Sequence, residues 1–239
     1  MINIMLEYYA TCIYQSFVVI YARPFGRSIT GPYNTYRNEN CGQISNPPPQ
    51  RRTPMEFENL IEKTINRNVM FEGRIITVCK NDVLLPNGKT GTREIVEHNG
   101  GVCIAPITDK KELIFVRQFR SPYSEVILEL PAGKLEKGED PFEAGKRELE
   151  EETGKNADNY RDMGKFYPTP GYCGEIIHLY AAWNLKDSKM HLDDDEFLEP
   201  ILIPIEKAVE MVMNNEIRDG KTQTLILKIN ELIRKGELL

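Results

Sequence analysis

The chain has 239 residues, 41% of them hydrophobic and 28% charged, with a net charge of −6 at pH 7. That is an ordinary globular composition, long enough to bury a core without disulfides or structural metal. The acidic balance gives no support for a basic nucleic-acid face, and nothing approaches the roughly 18 uninterrupted apolar residues of a membrane span.

The first 54 residues differ in texture from the rest. They hold six tyrosines between Tyr8 and Tyr36, then the run Asn46-Pro47-Pro48-Pro49-Gln50-Arg51-Arg52. No helical or strand period is sustained there, and the segment carries +3 (five Arg, two Glu), leaving −9 for the remainder. The apolar stretch from Cys12 to Tyr21 has no basic residue before it, which a secretory signal needs. Residues 1–54 are therefore expected to be disordered or a non-native extension, with the folded domain over 55–239. The five cysteines, Cys12, Cys41, Cys79, Cys103 and Cys173, show no CxxC pair and no His at zinc spacing. That suits reduced thiols in the cytoplasm.

Arg74–Lys80 and Arg93–Glu97 alternate apolar and polar residues, as half-buried strands do. Between them Pro86-Asn87-Gly88-Lys89 marks a turn. Gly101–Ile107 and Glu112–Arg117 read as a hairpin, and Val126–Leu130 as a short strand stopped by Pro131. Ile176–Trp183 and Leu198–Ile203 supply later strands. Helices are predicted over Pro141–Thr153, Ile205–Asn214 and Thr222–Lys235. Strands on both sides of a helix, closed by C-terminal helices, predict an α+β domain.

The stretch from Gly133 to Gly154 carries the chemistry. Asp140 can cap a helix, Pro141 suits its first position, and Glu143 completes a capping box. Gly154 suits a left-handed C-terminal cap. The caps fix the register between them, so Glu148 and Glu152 share one face and Glu151 flanks it. Like charges at this spacing destabilise a helix, and a divalent cation resolves the repulsion. Mg²⁺ prefers one or two carboxylates plus water and substrate phosphates. Arg147, four residues from both Glu143 and Glu151, can orient a carboxylate. Taken alone, the acids also fit a charged, exposed helix.

The full spacing decides between those readings, because it resembles the Nudix box, Gly-x5-Glu-x7-Arg-Glu-hydrophobic-x-Glu-Glu-x-Gly-hydrophobic. Gly133, Glu139, Arg147, Glu148, Glu151, Glu152 and Gly154 all stand in place. Seven such matches arise by chance with a probability of about 10⁻⁸ per start. The one departure is Lys155 at the last apolar position. The resemblance implies a Nudix fold, a mixed β-sheet sandwiched between helices. N-terminal antiparallel strands over about 69–98 would serve dimerisation, with the catalytic core over about 99–239. It implies hydrolysis of a nucleoside diphosphate linked to another moiety.

Outside the box the chain is similar to bacterial ADP-ribose pyrophosphatases, whose marker proline falls sixteen residues after the last box glycine, here Pro170. Arg93-Glu94 resembles the strand that contacts ADP-ribose, and Arg120 the arginine that holds the diphosphate. Leu135 and Glu175 match substrate-pocket positions, and Ala132 the residue whose backbone carbonyl binds a metal. Within Asp193-Asp194-Asp195-Glu196, Glu196 matches a metal ligand and Asp194 the proposed base; a plain acidic turn is the simpler reading of that run. The resemblance thus implies metal ligands Ala132, Glu148, Glu152 and Glu196, with Glu151, Glu152, Glu196 and Asp194 as catalytic. The ion would be Mg²⁺ (or Mn²⁺), the products AMP and ribose 5-phosphate, and the assembly a cytoplasmic homodimer without nucleic-acid or membrane partners. The alternatives are another nucleotide-sugar or dinucleotide, such as GDP-mannose or NADH, and a non-catalytic ADP-ribose sensor, which the unbroken box disfavours.

Overall fold

The computed structural model describes residues 54–192 and 196–239. The expectation for the first 54 residues, Pro54 aside, and the role of Asp194 lie outside the described residues. A 3₁₀ segment, Pro54–Leu60, leads into three antiparallel strands, β1 (Lys63–Glu72), β2 (Ile76–Leu84) and β3 (Thr90–His98), paired in that order. The predicted turn joins β2 to β3, with Gly88 at φ 78° and Leu85 N donating to Lys89 O at 2.8 Å. β1 was not legible in sequence. All ten of its residues are exposed, so no buried side marks a period.

The second sheet is mixed. Its strands are β4 (Gly101–Ile107), β5 (Glu112–Arg120), β6 (Glu125–Glu129), β7 (Ala132–Lys134), β8 (Lys155–Phe166), β9 (Ile177–Asp187) and β10 (Leu198–Pro204). They run β10-β5-β4-β9-β8, with β6 on β5 and β7 on β4; β4 and β9 are parallel and the other pairs antiparallel. The helices are α1 (Pro141–Thr153), α2 (Ile205–Met213) and α3 (Gly220–Arg234). β4 and β5 pair only at Ile107↔Leu113 and then diverge, so β6 and β7 take up their inner edges. That divergence opens the cleft described below.

β4 is buried along its whole length because both faces are covered. Val102 and Ile104 pack with Ala144 and Leu149 of α1 and with Tyr180. Cys103, Ala105 and Ile107 pack on the other side with Leu225, Ile226 and Ile229 of α3. This is the expected helix–sheet–helix sandwich. β8 is an addition to the predicted set. Its sequence, Lys-Asn-Ala-Asp-Asn-Tyr-Arg-Asp-Met-Gly-Lys-Phe, is that of a polar edge strand, and its pairing with β9 shifts register between Asp162 and Gly164, which breaks any alternation. α1 spans the predicted residues. Asp140 accepts from Phe142 N and Glu143 N, and Gly154 adopts φ 63° and donates to Glu150 O. Glu143 pairs with Lys146 at 2.9 Å.

Candidate active site

Two elements of the box meet at β7 and the inner face of α1. Glu148 and Glu152 lie there almost wholly buried, at 6% and 1% exposure. Ala132 N donates to Glu152 Oε2 at 3.0 Å, which ties the strand to the helix. A Cβ at Gly133 would lie 1.8 Å from Glu148 Oε1, so the box glycine is what lets the Glu148 carboxylate keep this position. Arg147 gathers three acids. Its guanidinium donates to Glu139 Oε1 at 3.1 Å, to Glu148 Oε1 at 2.9 Å and to Glu151 Oε2 at 2.7 Å.

This arrangement strains the acids electrostatically. Burial pushes the Glu148 carboxyl up to about 7, against the pull of Arg147, and the Glu151 and Glu196 charges add to the rise. Burial pushes Glu152 up to about 8, and the Glu148 and Glu196 charges add to it. A divalent ion would relieve that cost by favouring the ionised forms. Among the described residues no three His, Cys, Asp or Glu side chains form a ready-made cage. A sparse set of carboxylate oxygens instead suits an ion that keeps part of its shell in water and substrate. The residues fit such an ion.

The acidic face opens into a cleft of about 1320 Å³. Glu148, Glu151, Glu196 and Ala132 line it, as do Arg120, Leu135 and Glu175 from outside the helix. Arg120 stands at the end of β5, and its Nε and Nη2 donate to Glu129 at 2.6 and 2.9 Å. Glu175 sits 3.6 Å from His98 Nδ1, which also lines the cleft.

Four expected positions do not line the cleft: Glu152 lies buried beneath the acidic face, and Arg93, Glu94 and Pro170 are placed elsewhere. Arg93 and Glu94 lie on β3 and do not line this cleft; the Arg93 guanidinium bonds Glu62 and Thr92 O. Pro170 stands just past the lining residues Pro168 and Thr169. Its loop is docked on β3, with Val96 N donating to Tyr172 O and Gly174 N to Val96 O, both at 2.8 Å, and this docking delivers Glu175.

Sequence reasoning missed Glu129, Tyr123, Arg218 and Lys221, which surround or line the same cleft. Glu129 had one readable signal, an acid inside the apolar run Val126-Ile127-Leu128-Glu129-Leu130. Lys221 had none.

The NUDIX domain family model matches residues 97–223. Over 182 residues the chain is 42% identical to an ADP-ribose pyrophosphatase of Bacillus subtilis, covering 74% of this chain and 98% of that protein. Over 177 residues it is 41% identical to a methanol dehydrogenase activator of Bacillus methanolicus, covering 72% and 96%. A crystal structure of an ADP compounds hydrolase superposes with a TM-score of 0.65 at 23% identity, covering 74% of this chain and 97% of that one, which supports the fold. The chain belongs to the Nudix hydrolase family. Members of this family generally use a divalent metal ion.

Proposed function

We propose that the protein hydrolyses the diphosphate bond of ADP-ribose, using Mg²⁺, to give AMP and ribose 5-phosphate. The observation that carries this reading is the single cleft in which Arg120, Leu135 and Glu175 face the acids of α1. The similarity to the Bacillus subtilis enzyme, over nearly its whole length, supports the same substrate.

Glu148, Glu152, Glu196 and the carbonyl of Ala132 would hold the ion. When bound, it would neutralise the diphosphate and lower the pKa of a water. Arg120 meets the phosphate oxygens with a planar fork that suits two of them. Glu175 and Leu135 line the substrate pocket. Arg147 keeps Glu151 and Glu148 in register with the cleft through its 2.7 and 2.9 Å bonds. A carboxylate, Glu196 or Asp194, takes the proton as the water oxygen bonds to one phosphorus and the bridging P–O bond breaks. Arg93 and Glu94 would join from β3 of a second copy. A homodimer is supported by β1, an edge strand that leaves Ile65, Val69, Met70 and Phe71 about half exposed or more. The reading includes a cytoplasmic location.

Product release measured across ADP-ribose, GDP-mannose, NADH and oxidised dGTP tests the substrate. Preference for any of the last three overturns ADP-ribose. At saturating Mg²⁺, Glu152→Gln is expected to lower kcat by about 10²-fold or more; full activity in that variant would remove Glu152 from the machinery.

A further inference from the structure

Arg120 belongs to a four-charge cluster whose other three members, Glu129, Lys221 and Asp219, the reaction as described leaves unused. Glu129, at 1% exposure, accepts both the Nε and Nη2 of Arg120. Its second oxygen also accepts from Lys221 Nζ. Lys221, at the start of α3, in turn lies 3.0 Å from Asp219. Burial works against the charges of Arg120, Glu129 and Lys221. Even so, Arg120 and Lys221 hold the Glu129 carboxyl below its usual range, and Asp219 and Glu129 hold the Lys221 ammonium above its own. The cluster balances two cations against two anions, so it adds no net attraction for a phosphate. What it adds is geometry. Of the five N–H donors of Arg120, two are committed to Glu129, and the far edge of the fork is left over. Arg120 lines the cleft and keeps about a third of its side-chain surface exposed.

We propose that Glu129 and Lys221 are positioning residues for Arg120, locking its guanidinium so that its unused edge is presented to the diphosphate. This rests on the reading of Arg120 as the diphosphate ligand. A flexible arginine spends binding energy on ordering itself, and a locked one does not.

The test is a double-mutant cycle on the full chain at saturating Mg²⁺. Glu129→Gln is expected to lower kcat/KM for ADP-ribose by about 10- to 100-fold, most of it in KM, with the Mg²⁺ activation midpoint unchanged. In an Arg120→Ala background the same substitution should change kcat/KM by less than about threefold, because the residue it serves is gone. Lys221→Met should act in the same direction and also fall silent in that background, so it carries the test if Glu129→Gln does not fold. Losses that multiply in the double mutants, or that fall on kcat and the Mg²⁺ midpoint, would mean a merely structural ion cluster and overturn the proposal. The same cycle read as the Kd for ADP by calorimetry needs no turnover. An enzyme that ignores ADP-ribose therefore sinks the substrate assignment, whereas additivity in ADP binding sinks the positioning role.

Discussion

Glu148 and Glu152 make the resting protein sensitive to pH in a particular direction. Both carboxyls have folded values of about 7 and about 8, above the ordinary 4.5. The folded state therefore holds more protons than the unfolded chain between those limits, and stability falls as pH rises through them. Metal-free protein is expected to melt at lower temperature at pH 8 than at pH 5.5. Glu152→Gln should flatten that slope, and added Mg²⁺ should restore the melting point most at pH 8, where these carboxyls are ready to ionise. A scanning-fluorimetry series over pH, with and without Mg²⁺, checks all three. Gly133→Ala gives a second expectation. Its new methyl would collide with the Glu148 carboxylate, and displacement of about 1 Å at a reacting group costs on the order of 10²-fold in rate. Steady-state kinetics should show that loss without a matching loss of melting temperature. The box residues were legible because their spacing is local and helical. The pairing of Glu129 with Lys221 was not, because they lie 92 residues apart: the acid in its apolar run marks a buried charge but not its partner.

Local signals served the elements unevenly. α1 was readable to the residue because its caps are side-chain chemistry: Asp140 accepts the first free N–H groups and Gly154 takes the left-handed turn. Gly154→Ala should cost about 1–2 kcal/mol in urea unfolding, since the new Cβ would also press 3.1 Å from Met190 N. β4 and β9 were readable as apolar runs covered on both faces. β8 escaped because it is a polar edge strand with a register shift that breaks alternation, and β1 because none of its residues is buried. The turn at Pro170 is another case where sequence showed the signal but not its use. Its role in the fold is to hold a loop against β3 so that the residue after it, Glu175, reaches the cleft.

For the molecule entire, the cleft in one chain holds the acids, Arg120 and Glu175, while Arg93 and Glu94 stand apart on the three-stranded sheet. Light scattering is expected to report a dimer, and Met70→Lys on β1 should weaken it at least about tenfold, with a parallel rise in KM. A monomer with full activity would make Arg93 and Glu94 ordinary surface charges. Within the chain the divergence of β4 from β5 has a mechanical result. Glu129, which grips Arg120, and Ala132, which abuts the acids of α1, are joined by only Leu130 and Pro131. Leu130 N is pinned to Thr222 Oγ1 and Pro131 O to Ile104 N, each at 2.9 Å. Three peptide steps span at most about 11 Å. The gap between the carboxylate that grips Arg120 and the residue beside the acids is thus a covalent caliper, clamped at both jaws. Surface loops around the cleft can lengthen or change without altering that spacing.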